Sequence, residues 1–160
     1  MGLFSRKEKQ DRVTNYNFLS PLSGKLMDLS EVKDEVFSQK MMGDGFAIEI
    51  DDSVVVAPFD GEVTMVFPTG HAYGLKSDEG LEVLIHIGMD TVDLEGDGFI
   101  SKVSVSDRVK KGDILAIVDL EVIKEKGKTL VSPVVFTSSQ KVSLKDKKEV
   151  KALEEVVDFI

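Results

Sequence analysis

Glycine, proline and aspartate interrupt this chain at close intervals, so its apolar runs are all short. Thirteen glycines and four prolines are spread over 160 residues. The runs between them have the length and β-branched content of strands. Nine strands are predicted, at residues 24–29, 46–50, 53–57, 62–67, 72–76, 81–87, 114–119, 129–136 and 140–144. The pattern favours an all-β fold, an antiparallel β-sandwich or barrel.

Helical signals are weak in comparison. Residues 29–39 have room for one or two turns behind Ser30 as N-cap, and residues 120–126 for one more. The segment 145–160 fits a helix and a loop followed by a strand equally well. We therefore expect one or two short helical turns beside the sheets.

A short internal repeat suggests that the fold contains a duplicated β-motif. Residues 20–26 read SPLSGKL and residues 57–63 read APFDGEV. In both, proline fixes φ and glycine permits a reversal before an alternating strand begins. The repeat carries no chemistry of its own.

The domain limits follow from composition. Residues 1–15 are basic and contain little apolar surface, which predicts a flexible tail, and residues 16–160 are predicted to form a single domain. No apolar run reaches transmembrane length, so no integral membrane segment is expected.

Charge and cysteine content exclude several functions. The formal net charge of −9 argues against a nucleic-acid partner and suits a basic protein surface. The absence of cysteine excludes a disulfide scaffold, a thiolate zinc site and a cysteine nucleophile. A cytoplasmic location is expected on this basis.

Only two histidines occur, and each lies in a short apolar segment. His86 is predicted at the end of a buried strand just before Gly88, where the missing side chain would let another molecule approach the ring. His71 follows Thr69 and Gly70, and the threonine hydroxyl can fix its tautomer. If the strands around residues 77–80 form a hairpin, His71 falls opposite His86.

Two adjacent imidazoles allow three chemistries. A zinc site would need a further ligand, with Asp90 as one candidate. General-base catalysis would need a nucleophile, and the sequence shows no serine elbow. Phosphoryl transfer needs one ring as nucleophile and a second donor for the phosphoryl oxygens, which uses both histidines.

Six short blocks follow one another between about residue 19 and residue 137. They are GDGFAI at 43–48, VAPFDG at 56–61, TGHAY at 69–73, HIGMDTV at 86–92, VKKGD at 109–113 and TLVSPVV at 129–135. Together these blocks resemble the glucose-family IIA component of the bacterial phosphoenolpyruvate-dependent sugar phosphotransferase system. The resemblance implies an antiparallel β-sandwich with a shallow active site. The chain departs from the family at 152–155, where a glycine normally precedes a final strand.

The resemblance also implies a function as a phosphotransferase component. His86 would accept a phosphoryl group from the phosphocarrier protein HPr and pass it to the IIB domain of a glucose-type sugar permease. His71 would donate a hydrogen bond to that group, with Thr69 orienting it. Other side chains would form the partner-docking surface. These are Asp34, Phe37, Phe67, Leu84, Gly88 and Asp90.

Other functions fit the sequence less completely than phosphoryl transfer. The segment from His86 to Asp90 also resembles the zinc segment of lysostaphin-type metallopeptidases, but no later histidine completes that ligand set. A biotin or lipoyl carrier would need an exposed lysine at a hairpin tip, and none is evident. The alternative that remains is a regulatory module whose unphosphorylated form binds transporters or glycerol kinase. No cofactor is expected to be required, although zinc held by His71 and His86 could be completed by a partner ligand.

Overall fold

Thirteen β-strands and four short helical segments form the part of the chain described by a computed structural model, residues 16–160. The predicted flexible tail at residues 1–15 lies outside the described residues. The strands are β1 Gly24–Asp28, β2 Asp44–Ile50, β3 Val54–Val56, β4 Gly61–Val66, β5 Ala72–Ser77, β6 Glu82–His86, β7 Phe99–Ser101, β8 Arg108–Val109, β9 Ile114–Val118, β10 Val131–Phe136, β11 Val142–Leu144, β12 Glu149–Val150 and β13 Val157–Phe159. The helical segments are a 3₁₀ turn Leu29–Glu31, α1 Glu35–Ser38, a 3₁₀ turn Thr91–Leu94 and α2 Leu120–Glu125.

The strands form antiparallel sheets. Eight of them make one large sheet in the order β12-β1-β2-β10-β6-β5-β4-β8. A three-stranded sheet, β3-β9-β7, and a two-stranded pair, β11-β13, complete the strand set of the described residues. The large sheet is open, since β12 and β8 lie at its two ends. The predicted antiparallel β-sandwich is confirmed, and the barrel alternative does not apply.

All nine predicted strands are present, and four further short strands, β7, β8, β12 and β13, were not predicted. Both predicted helical regions form turns. The first begins earlier than expected, because Asp28 and not Ser30 is the N-cap and accepts a hydrogen bond from the Ser30 amide. The end of the chain adopts loops and short strands, which decides between the two alternatives for residues 145–160.

Alternation along β6 places apolar side chains on both faces of the large sheet. Val83 and Ile85 belong to the main hydrophobic core, whereas Leu84 packs in a second, smaller cluster. The smaller cluster includes Leu29 and Phe37, which come from the two helical segments after β1. Because side chains alternate along a strand, His86 lies on the same face as Leu84. The histidine is thereby placed beside the smaller cluster.

The predicted duplicated motif occupies two equivalent positions. Gly24 begins β1 and Gly61 begins β4, and each residue starts an antiparallel pair. A Cβ at Gly24 would come within 2.0 Å of the Glu49 carbonyl oxygen, and one at Gly61 within 2.2 Å of the Lys76 carbonyl oxygen. Both motifs therefore need glycine because the neighbouring backbone passes too close for a side chain.

The two motifs also bind each other reciprocally. The amide of Leu19 donates to the Pro58 carbonyl at 3.1 Å, and the amide of Val56 donates to the Pro21 carbonyl at 3.0 Å. Leu19 and Val56 each stand two residues before the proline of their own motif. The two hydrogen bonds are thus related by exchanging one motif for the other, as expected for a pseudo-two-fold arrangement.

A second pair of hydrogen bonds follows the same pseudo-two-fold relation, at the first residue of each motif. Gly112 donates its amide hydrogen to the Ala57 carbonyl, and Leu153 donates to the Ser20 carbonyl. Gly112 has φ of +92°, and Leu153 has φ of +72°. Leu153 is therefore the equivalent of Gly112, and both residues have left-handed backbone conformations. The final strand β13 still forms after Leu153. At residues 152–155, where the resemblance implies a glycine, the chain instead holds Leu153 in a left-handed conformation.

We expect replacement of Leu153 by glycine to stabilise the fold. A left-handed conformation costs a non-glycine residue about 1–2 kcal/mol, and the greater freedom of glycine in the unfolded chain offsets part of the gain. The free energy of unfolding, measured by urea denaturation, should rise by about 0.5–1 kcal/mol in Leu153→Gly. Ala152→Gly is the matched control and should lower it, because Ala152 lies outside the left-handed region. A Leu153→Gly variant less stable than the unmodified chain would contradict this interpretation.

Candidate functional site

The two histidines come together at one end of the β5–β6 hairpin. Their ring centroids are 5.1 Å apart and the ring planes meet at 77°. His86 is the last residue of β6 and is half-buried, whereas His71 precedes β5 and is 2% exposed. The predicted adjacency of the rings is thus present in the structure.

The predicted register of this hairpin is wrong by one residue. Ala72, not His71, pairs with His86, and His71 accepts a backbone hydrogen bond from Ile87 at 2.7 Å. The shift arises because the Ser77 amide donates to the Leu81 carbonyl, leaving a loop of three residues, 78–80. The loop closes on Gly80 with φ of +90°, as in three-residue hairpins.

Backbone geometry fixes the tautomer of His86. Its Nδ1 lies 2.8 Å from the carbonyl oxygen of Gly88. A carbonyl oxygen can only accept, so Nδ1 must carry the hydrogen when the ring is neutral. The lone pair of the neutral ring is therefore on Nε2, which is the nitrogen available to react.

Gly88 is required by contacts within the chain. It is buried and has φ of +70°. A Cβ there would come 2.6 Å from Cγ2 of Thr91 and 2.7 Å from the carbonyl oxygen of Thr129. The sequence suggested that Gly88 leaves room for a docking molecule. The structure gives a different reason, since glycine permits the turn that presents its carbonyl to His86.

His71 is held by Thr69 and by burial. Nδ1 of His71 is hydrogen-bonded to the Thr69 hydroxyl, and the ring packs edge-on against Phe67 at a centroid distance of 5.0 Å. Burial, with a smaller contribution from charge repulsion by His86, lowers the pKa of His71 to about 4. The His71 ring is therefore neutral near pH 7.

Burial also lowers the pKa of His86, but nearby groups oppose the effect. The hydrogen bond to Gly88 and the charges of Asp34 and Asp90 all raise this pKa. One carboxyl oxygen of Asp34 accepts the Val36 amide hydrogen at the start of α1, while Asp90 is exposed and makes no such capping bond. Both predicted carboxylates thus act electrostatically on His86.

The predicted docking residues divide into a buried floor and a partly exposed rim. Phe37 and Leu84 are only 6% and 5% exposed, and the ring of Phe37 lies 5.3 Å from that of His86. They support the histidines from within the smaller cluster and offer a partner little surface. Phe67 is half-buried beside His71, and so remains available at the rim.

Several exposed apolar side chains on the segments around the site were not predicted from the sequence. Val36 lies on α1 next to Phe37, Val92 follows Asp90 by two residues, and Met41 is 69% exposed. The signal available was the apolar pair Met41-Met42 directly before a glycine. These residues add exposed apolar area to the segments that contain Asp34, Phe37 and Asp90.

The histidines are separate from two cavities in the described part of the chain. Cavities of about 620 and 730 Å³ lie elsewhere, one against Phe99 and Val122 and the other against Lys25 and Thr129, and neither is lined by His71 or His86. Small-molecule sites are usually concave. The histidines lie outside both of these concave regions.

Metal ligands are too few for a complete site. Among residues 16–160, no group of three or more histidine, cysteine, aspartate or glutamate side chains is arranged to hold a metal ion. The two imidazoles provide two nitrogen ligands, fewer than the three or four protein ligands of ordinary zinc sites. Within the same residues, no helix is both long and apolar enough to cross a membrane.

A protein-family model matches most of the chain. The model describes EIIA 1 of the phosphoenolpyruvate-dependent sugar phosphotransferase system and matches residues 16–142. The matched region includes both histidines and the residues that hold them.

Two curated relatives are similar over most of this chain. The PTS system glucose-specific EIICBA component of Staphylococcus saprophyticus is 46% identical over 152 residues, covering 94% of this chain and 22% of that protein. The PTS system glucose-specific EIIA component of Halalkalibacterium halodurans is 49% identical over 128 residues, covering 80% of this chain and 74% of the relative. The chain therefore spans about a fifth of the first relative and about three quarters of the second.

A solved structure has the same fold. Glucose permease IIA from Mycoplasma capricolum superposes with a TM-score of 0.82 at 40% sequence identity. The superposition covers 90% of this chain and 94% of the other. The open sandwich described above is thus the fold of that protein too.

The low pKa of His71 predicts acid sensitivity. Between its ordinary pKa of 6.5 and the folded value of about 4, the unfolded chain binds a proton that the folded chain does not, so stability falls as pH falls. We expect this residue to account for a loss of about 2 kcal/mol in the free energy of unfolding between pH 7 and pH 5. Urea denaturation should show a smaller loss in His71→Gln. The same loss in both proteins would contradict the assignment.

Proposed function

The chain belongs to the EIIA 1 family of the phosphoenolpyruvate-dependent sugar phosphotransferase system, and we propose that it carries a phosphoryl group on Nε2 of His86. The observation that carries the proposal is the hydrogen bond from Nδ1 of His86 to the Gly88 carbonyl. It leaves the Nε2 lone pair free in the neutral ring, as a nucleophile requires. The ring of His71, a second imidazole that can donate a hydrogen bond, lies beside the ring of His86.

The transfer from HPr to this chain would be a direct exchange between two imidazole nitrogen atoms. Nε2 of His86 attacks the phosphorus of the phosphohistidine of HPr, the new P–N bond forms, and the bond to HPr breaks with its electron pair returning to the HPr imidazole. In the second step a nucleophile of the IIB domain of a sugar permease would attack the same phosphorus, and the P–N bond would break with its electron pair returning to Nε2 of His86. The names of the relatives favour a glucose-type permease. No oxidant, reductant or cofactor enters this exchange.

His71 would stabilise the phosphoryl oxygens. If the Thr69 hydroxyl donates to Nδ1 of His71, the proton of the neutral ring is on Nε2, which can then donate to an oxygen. The pKa of about 4 keeps His71 neutral at physiological pH, so it acts as a hydrogen-bond donor and not as a competing cation. Donors positioned in this way act most strongly where water is excluded.

The carboxylates would serve both partner recognition and onward transfer. Asp34 and Asp90 raise the pKa of His86, and greater basicity makes the ring a better nucleophile. Their negative charge would attract a cationic side chain of the carrier. After phosphorylation the same charges repel the phosphoryl group, which favours its release to the next acceptor.

A regulatory role is the second proposal. In its unphosphorylated form the chain would bind transporters or glycerol kinase through the surface that contains the histidines. The two imidazoles fall short of a complete zinc set, so a carboxylate of the partner would complete any zinc site formed with His71 and His86. A phosphoryl group on His86 would occupy one ligand nitrogen, making phosphorylation and metal bridging mutually exclusive.

Replacing His86 by glutamine should abolish phosphorylation. Glutamine has no nitrogen lone pair able to form the P–N bond, since amide nitrogen is not nucleophilic. Mass spectrometry after incubation with phosphoenolpyruvate, enzyme I and HPr should detect one acid-labile phosphoryl group on the unmodified chain and none on His86→Gln. His71→Gln is the matched control and should still be labelled. Labelling that persists in His86→Gln would remove the assignment.

His71→Gln should separate acceptance from onward transfer. Glutamine keeps a donor but loses the geometry fixed by Thr69, so His86 should still accept the group while transfer to IIB slows by about 10²–10³. Rapid-quench kinetics with labelled phosphate measures both steps. Transfer to IIB at the unmodified rate would show that His71 does not stabilise the reaction.

A further inference from the structure

Buried hydroxyl groups hold both ends of the peptide unit that joins Ile87 to Gly88. The amide hydrogen of Gly88 is donated to Oγ of Ser132 at 2.9 Å. The carbonyl oxygen of Ile87 accepts a hydrogen bond from Oγ1 of Thr91 at 2.6 Å. Ser132 and Thr91 are both fully buried. Neither donor nor acceptor of this peptide unit is therefore left to exchange partners with water.

The proton of Ser132 is committed elsewhere, which leaves its oxygen as an acceptor for Gly88. Oγ of Ser132 donates to the Leu130 carbonyl at 2.9 Å. In the ladder between β10 and β6, Val134 pairs with Ile85, so continuing the antiparallel register brings Ser132 opposite Ile87. The hydroxyl thus continues the sheet contacts just beyond the last strand residue, His86.

This peptide unit directly precedes the carbonyl that binds His86. Gly88 has no side chain to restrict its torsions, so the direction of its carbonyl depends on how the unit before it is held. That carbonyl accepts from Nδ1 of His86 at 2.8 Å. The contacts therefore form a continuous series from Leu130 through Ser132 and Gly88 to the reactive ring.

We propose that Ser132 is a positioning residue for His86, acting through Gly88 and assisted by Thr91. The inference rests on the proposed function for its consequence in phosphoryl transfer, although its effect on the ring is independent of that function. If the Gly88 carbonyl turns away, Nδ1 loses its acceptor and the proton can move to Nε2. A proton on Nε2 blocks the lone pair that attacks phosphorus.

The first test is the tautomer of His86 in Ser132→Ala, read from the ring ¹⁵N chemical shifts without any phosphoryl donor. The unmodified chain should show a protonated Nδ1 and an unprotonated Nε2 at neutral pH. Ser132→Ala should show a mixture of tautomers. Its rate of phosphorylation by phospho-HPr should fall about tenfold, by analogy with the loss seen when groups that orient a metal-binding histidine are removed.

The matched control is Ser77→Ala. Ser77 is also buried, and its hydroxyl oxygen accepts the amide hydrogen of Leu81 at the other end of the same hairpin. This variant should lose stability without changing the His86 tautomer or the phosphorylation rate. The comparison separates positioning of the ring from a general loss of packing.

Two further variants keep the proposal testable if Ser132→Ala does not fold. Thr91→Val releases the Ile87 carbonyl at nearly constant volume and should also mix the tautomers, whereas Ser132→Thr retains the hydroxyl and should restore the unmodified pattern. An unmodified ¹⁵N pattern in folded Ser132→Ala would overturn the proposal, and so would an unmodified pattern in Thr91→Val if Ser132→Ala is unfolded. Labelling that survives in His86→Gln would instead count against the proposed function, and a mixed tautomer would still support the role of Ser132.

Discussion

The pleat of β6 is the constraint on which the site depends. Successive side chains along a strand point to opposite faces, and both faces of this strand are apolar, so the register is strongly determined. Val83 and Ile85 are anchored in the main core, and Leu84 in the smaller cluster. A slip by one residue would move His86 into the main core and expose core side chains. The position of the His86 ring is therefore fixed by burial of its neighbours in the strand.

Gly88, two residues beyond the end of β6, links the buried strand to the orientation of the His86 ring. At Gly88 the chain leaves the sheet in a left-handed conformation that contacts with Thr91 and Thr129 reserve for glycine. The turn returns the Gly88 carbonyl to His86. The His86 ring, which we propose as the nucleophile, thus receives its orientation from backbone that cannot shift without breaking buried hydrogen bonds. Such preorganisation limits the reorganisation needed when a phosphoryl group arrives.

The sequence was sufficient for nine of the thirteen described strands and for the proximity of the two histidines, but not for the details that tertiary contacts decide. Strands such as β8, with two residues, are too short to show an alternating pattern. The hairpin register was misplaced because Ser77 pairs with Leu81 and shortens the loop by one residue. The burial of Phe37 depends on how α1 packs against the sheet, which no local pattern reports. The hydroxyl of Ser132 reaches Gly88 from a strand 44 residues away, so its role was invisible in the motif around His86.

The electrostatics of the site suit a group that must be both accepted and released. Burial keeps the His71 ring neutral, since its pKa is about 4, while Asp34 and Asp90 partly offset the effect of burial on His86. A cationic residue beside the phosphoryl group would hold it tightly, because unlike charges attract strongly where water is excluded. A neutral donor such as His71 stabilises the phosphoryl oxygens during transfer without binding the phosphorylated state as tightly as a cation would. The carboxylates repel the phosphoryl group and so favour its release. A carrier needs this balance, whereas an enzyme that hydrolyses its phosphoryl intermediate would need an activated water that the apolar surroundings of Phe37 and Phe67 do not favour.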